Sequence, residues 1–262
     1  MTTTLNRPVP APGALAPGPN FDPIPFRRLL RVEWGKATDT RAARWLLALV
    51  GMSTVALMLA PMLAPKSIDQ TYTSYLGFAA LATTYLLPVV SILTLTSEWN
   101  QRTALTTFTQ ESRRVRVMGA KMAVSLLLGG VAALFGALVT AAGLGVVAGS
   151  GRAVEADLNG GVIIGFVLFV LISVFMGVAL GALLHNSASA IVASFALPTT
   201  FVMLGRASKP IAEWLDVSTI FNRWLLNGEW SGHTQQILVG IMLWVAIPLT
   251  IGLVRTVRRE IK

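Results

Sequence analysis

Cysteine is absent from the chain, and histidine occurs only twice, as His185 and His233. Without a thiol there is no disulfide framework, no thiolate metal site and no cysteine nucleophile. The two histidines are solitary and show no metal-ligand spacing, the pattern of ordinary loop residues. Charge is scarce as well. Asp, Glu, Lys and Arg make up 13 % of the 262 residues, against about 25 % in a soluble domain. The chain also has no Gly-x-x-x-x-Gly-Lys-Ser/Thr run. That loop cradles phosphates on backbone N–H groups, so ATP binding of the phosphate-loop kind is excluded.

What fills the chain instead is apolar, at 54 % of residues. A membrane helix needs about 20 predominantly apolar residues, with a range of roughly 17 to 25. Six windows qualify: Trp45–Leu63, Tyr75–Leu95, Met122–Ala148, Gly161–Leu184, Ala188–Leu204 and Ile237–Val254. None contains Asp, Glu, Lys, Arg or His. Buried helices of a soluble protein explain one such window more easily than six. The expected class is therefore all-α: a polytopic membrane protein, with residues 26–262 as one six-span domain. Uncharged spans also argue against proton relays, ion pathways and voltage sensors, which rely on intramembrane ionisable groups.

Residues 1–25 include seven prolines among Ala and Gly and read as a disordered, retained tail. An even number of spans puts both termini on one side. Lys and Arg flank that side sixteen to five, whereas the acidic residues divide six and six. Cations orient membrane proteins, so both termini are expected in the cytoplasm, across a cell (plasma) membrane. The net charge of +9 is then a topological signal, and nucleic acid is not an expected partner.

Segments flanking the spans are patterned too. Phe26, Leu29, Leu30 and Trp34 recur at helical spacing, with Arg27, Arg28 and Arg31 elsewhere around the helix. This predicts a basic amphipathic helix along the inner membrane surface, within residues 26–44, and membrane lipid as its neighbour. Asp39 or Thr40 caps the helix that follows. Between spans two and three lies a polar loop, 97–121, that reads SEWNQRTALTTFTQESRRVRVMGAK. Arg102 to Phe108 suits a short helix with Ala104, Leu105 and Phe108 on one side, and Ser112 suits the cap of the next. Residues 206–236 carry Trp214, Trp224 and Trp230 in short amphipathic pieces. They read as an outer cap of short or partly re-entrant helices, or as a structured loop.

The polar residues left inside the spans are mainly hydroxyls. Thr83, Thr84, Ser91 and Thr94 surround Pro88 in span two, and Ser189, Ser194, Thr199 and Thr200 surround Pro198 in span five. A proline frees helix carbonyls, and hydroxyls either pack helices together or line a pathway. Gly161, Gly165, Gly177 and Gly181 form two Gly-x-x-x-Gly pairs that allow close helix approach.

The order of these parts resembles the permease subunit of type-2 ATP-binding-cassette exporters, of the bacterial half-transporter kind. The resemblance covers the chain from Phe26 onward. It is most specific in Glu98-Trp99, Arg102-Thr103, Leu105 to Phe108, Ser112-Arg113 and Lys121. Members often have Gly before that Thr and Pro before the Ser-Arg; this chain has Arg102 and Glu111 there. The resemblance implies a homodimer of permeases working with two copies of a separate ABC ATPase. The resemblance also implies that no cofactor belongs to this chain, that it is not an enzyme, and that Mg-ATP sits on the partner. It further implies a coupling helix carrying Glu98, Trp99, Arg102, Thr103, Leu105, Phe108 and Arg113. Phe26, Arg27, Leu30, Arg31 and Trp34 fall on the implied connecting helix. A pathway for a drug, antibiotic, lipid or glycan would run between spans two and five of both copies, past Thr84, Ser91, Thr94, Ser194 and Thr199. The competing readings are a stand-alone channel or secondary carrier, and a membrane anchor or immunity-type protein that transports nothing.

Overall fold

The computed structural model describes residues 24–100, 113–155, 157 and 159–258. Helix α1 (Phe26–Thr38) is amphipathic and precedes α2 (Arg41–Leu63), whose N-cap Thr40 accepts the Ala43 N–H at 3.1 Å. Helices α3 (Tyr72–Asn100), α4 (Arg114–Gly149), α5 (Gly160–Leu184) and α6 (Ser187–Ala207) follow. Two short helices, α7 (Lys209–Trp214) and the π-wound α8 (Ser218–Leu226), lead into α9 (Thr234–Arg258). Among the described residues, six helices are long and apolar enough to cross a membrane: α2 to α6 and α9. This is a multi-pass membrane protein, and each of the six windows lies inside one of these helices. At about 1.5 Å per residue, the 36 residues of α4 outreach a hydrocarbon core of about 30 Å.

Helices α3 and α5 form the centre, because glycines on α5 remove the side chains that would hold them apart. A Cβ on Gly177 would sit 2.7 Å from the Cα of Pro88, and one on Gly181 would meet Leu95 at 3.2 Å. Gly165 lets the carbonyl of Leu225, on α8, lie against the helix. Both Gly-x-x-x-Gly pairs thus serve packing within the chain; a Cβ on Gly161 would meet only its own cap, Asn159, but its backbone lies against Gly228. In their most apolar windows 61 % of α5 is buried but only 11 % of α6, which is peripheral.

The two ends of the bundle differ. At one, Arg116 donates to the Ile24 carbonyl (2.6 Å) and Arg114 to that of Thr256 (3.0 Å). The start of α4 therefore gathers both ends of the described chain; this is the polar end. At the opposite end, the loop before α3 pairs with the loop after α4. Glu155 N–H donates to Gln70 O (3.0 Å), Tyr72 N–H to Glu155 O (3.3 Å), and Asp157 accepts from Thr73 N–H (3.1 Å). The last two of these bonds satisfy N–H groups that the start of α3 leaves open.

The segment before α9 carries the two short helices α7 and α8, and α8 is well seated. Ile220, Phe221, Trp224, Leu225 and Leu226 are all buried. Trp224 stacks on His233 with centroids 4.0 Å apart. Within α9 the turn widens into a π segment, Met242–Ala246. Pro248 accounts for it: it has no N–H for the Trp244 carbonyl four residues back, and its ring crowds that carbonyl. The widened turn carries Trp244, whose indole N–H reaches the Leu215 carbonyl at 3.0 Å and fastens α9 to the α7–α8 connection.

Candidate functional site

At the polar end four charged side chains from three helices interlock. Lys121, on α4, donates to Glu33 Oε2 at 2.7 Å and to the Thr94 carbonyl at 3.2 Å. Lys36 donates to Glu33 Oε1 at 2.7 Å and to Glu98 Oε1 at 2.8 Å. Lys121 also lies 3.4 Å from Glu98 Oε1. Each carboxylate is thus shared by both ammonium groups. The burial is deep: Lys121 is 1 % exposed, Glu33 3 % and Glu98 4 %. An isolated charge there would be very costly, and two acids against two bases cancel. Lys36 sits at the edge; burial pulls its pKa down, but the bonds from Glu33 and Glu98 outweigh this and hold it above the usual 10.5.

The cluster adds a buried polar position to α1 that the spacing of its apolar residues had not pointed to. Glu33 and Ala37 are buried, Leu29 and Leu30 half-buried, while Phe26 and Trp34 stay 41 % and 39 % exposed. Pairing with Lys121 and Lys36 makes an inward Glu33 tolerable, and the helix is turned accordingly. Arg27 and Arg31 remain exposed on the other side, and Leu30 packs against the core.

Of the residues implied for coupling, Glu98 is in the cluster and Trp99 lies edge-on to His185, with centroids 4.8 Å apart. Arg113, exposed, immediately precedes α4. Arg102, Thr103, Leu105 and Phe108, with the short helix assigned to them and the Ser112 cap, lie outside the described residues, as does the tail before Ile24. His185 is no ordinary loop residue. It is buried at the α5–α6 corner with φ +50°, and its Nε2 is 2.7 Å from Thr256 Oγ1. Since Thr256 donates its own proton to the Gly252 carbonyl, His185 Nε2 donates to Thr256. Sequence reading passed over Glu33 and Lys36, though an acid three residues before a base on an arginine-rich helix was visible there.

Of the five hydroxyls implied for the pathway, three line one cleft of the single chain and two do not. Thr84, Ser194 and Thr199 line a cleft of about 290 Å³ between α3, α5, α6 and α8, with Tyr85, Phe169 and Asn222 among its other walls. Ser91 is buried and bonded to the Leu87 carbonyl. Thr94 bonds the Val90 carbonyl and faces a different recess, of about 210 Å³, beside Lys36, Thr40 and Leu46. Ser91 is about two turns beyond Thr84 and shares its face, so depth along α3 separates those two, whereas Thr94 is also rotated away from that face.

Among the described residues no cluster of three acids or histidines could hold a metal. Comparison with protein-family models gives no match, and comparison with curated proteins gives none either.

Proposed function

We propose that this chain is the permease subunit of a type-2 ATP-binding-cassette exporter, driven by a separate ATPase. The observation that carries the reading is the ion-paired seating of α1. Glu98 lies two residues before the end of α3, and Lys121 lies near the start of α4. Both are tied to Glu33 and Lys36 of α1. A push on the intervening segment, 101–112, would therefore reach α1, α3 and α4 together, as a coupling element must. Two copies of the chain and two ATPases make the working unit, with Mg-ATP on the ATPases. The cation count favours both termini, and with them the polar end, in the cytoplasm of the cell that makes the protein.

The cleft supports transport of an amphipathic or hydrophobic molecule. Among the described residues its lining has no carboxylate, ammonium, guanidinium or imidazole, so a proton-coupled carrier is the less favoured reading. Purification in mild detergent tests the proposal. A soluble ATPase should co-purify, and its ATP hydrolysis should depend on this chain. A chain that runs alone, in vesicles whose efflux is indifferent to ATP, would overturn the reading.

A further inference from the structure

We infer that the cleft between α3, α5, α6 and α8 is a binding site for an uncharged, aromatic, hydrogen-bond-donating amphiphile, and that Asn222 on α8 sets its selectivity. This names the ligand class of the export reading and rests on it for what the ligand is for; binding itself needs no partner subunit.

The wall hydroxyls decide the polarity of the ligand. Thr84 donates its proton to the Ala80 carbonyl, Ser194 to Ile191 and Thr199 to Phe195, each at 2.7 Å. Their protons are spent within their own helices, so toward the cleft these oxygens accept. A ligand that matches them brings N–H or O–H groups. Asn222 and Ser218 extend the lining onto α8, and their side chains make no hydrogen bond to the described residues. The half-buried Asn222 amide both donates and accepts, which suits a neutral polar group. Tyr85 and Phe195 stack at 6.2 Å and 13°, giving the cleft a flat aromatic border, and Phe169 and Met176 supply apolar walls. A volume near 290 Å³ is that of a small-molecule site, of about 300 Å³ upward. An ionised ligand would enter with no opposite charge among the lining residues, which is costly.

Three related probes test this on the purified chain in phosphatidylcholine nanodiscs, by equilibrium dialysis against empty discs. N-phenyl-1-naphthylamine is neutral with one N–H; its N-methyl derivative lacks the donor; 8-anilino-1-naphthalenesulfonate adds a negative charge. Saturable binding is expected for the amine, binding several-fold weaker for the N-methyl compound, and none above empty discs for the sulfonate. Asn222→Asp should weaken the amine about tenfold, and Thr84→Val should erase the difference between the two neutral probes, both with unchanged melting temperature. Equal binding of the three probes to the unsubstituted chain, no saturable binding, or a resident phospholipid that the amine cannot displace would each overturn the inference. Binding that persists when no ATPase is recruited would sink the export reading alone. Recruitment of an ATPase without probe binding would sink only the ligand site.

Discussion

Glu33 and Lys121 are 88 positions apart in the chain, yet the ammonium of one lies 2.7 Å from the carboxylate of the other, both almost wholly buried. With Lys36 and Glu98 they join a helix outside the spans to the ends of two helices that cross the bilayer. The arrangement is neutral as a set and unbalanced once any member is removed.

Replacing Lys121 by Met should therefore be severe. Glu33 and Glu98 would share only Lys36, and breaking a buried pair in this way costs about 3–5 kcal/mol. A markedly lower melting temperature in detergent is expected. The double variant Glu33→Gln/Lys121→Met should recover part of that loss. Additive losses from the two single changes would show that the pair does not interact.

Glu98→Gln is expected to uncouple rather than unfold. It keeps the side chain's shape and removes the carboxylate by which α3 holds Lys36 of α1, so ATP-dependent transport should fall at unchanged membrane insertion. Transport equal to that of the unsubstituted chain, at matched expression, would remove Glu98 from the coupling route.

The Lys36 contact has a defined pH window. Its pKa is raised in the folded chain above 10.5, so its stabilising contribution is complete below 10.5 and disappears as pH climbs through the raised value. The difference in melting temperature between the unsubstituted chain and Lys36→Met should stay flat from about pH 6 to 9 and shrink only in stronger base. Because Lys36 is partly exposed, that difference should be smaller than the one caused by Lys121→Met.

Two glycine substitutions separate packing from helix propensity. Gly177→Ala drives a Cβ into the backbone of Pro88 and should cost about 1–3 kcal/mol as α3 and α5 are pushed apart. Gly145→Ala, on α4, meets nothing within 4 Å and should be neutral or slightly stabilising. Thermal unfolding of the two variants side by side reads the contrast.

Trp244→Phe keeps an aromatic ring next to Phe201 but deletes the N–H that reaches the Leu215 carbonyl. A loss of about 1 kcal/mol is expected. Hydrogen exchange should rise in residues 209–226, where the tether acts, and stay unchanged in α3.

Local physics made the spans readable. Hydrophobic length is a property of contiguous residues, and the six windows needed no tertiary information. Caps are equally local, and Thr40 holds the start of α2 as its position before the span implied. The close approach at Gly165, Gly177 and Gly181 was legible as spacing, although only the fold shows α3 and α8 to be the partners. Periodicity left Glu33 unassigned on α1, because it has no knowledge of a base brought in from α4.

The sequence by itself determined that the chain is helical and that six uncharged stretches are long and apolar enough to cross a membrane, each inside one helix among the described residues. Only the tertiary structure decided that Glu33 turns inward, that Lys36 and Lys121 share two carboxylates, and that Thr84, Ser194 and Thr199 meet in one cleft while Ser91 and Thr94 do not. Apolar length and cap geometry act between near neighbours in the chain. A charge pair across 62 or 88 residues exists only where packed helices bring its members within reach and exclude water around them.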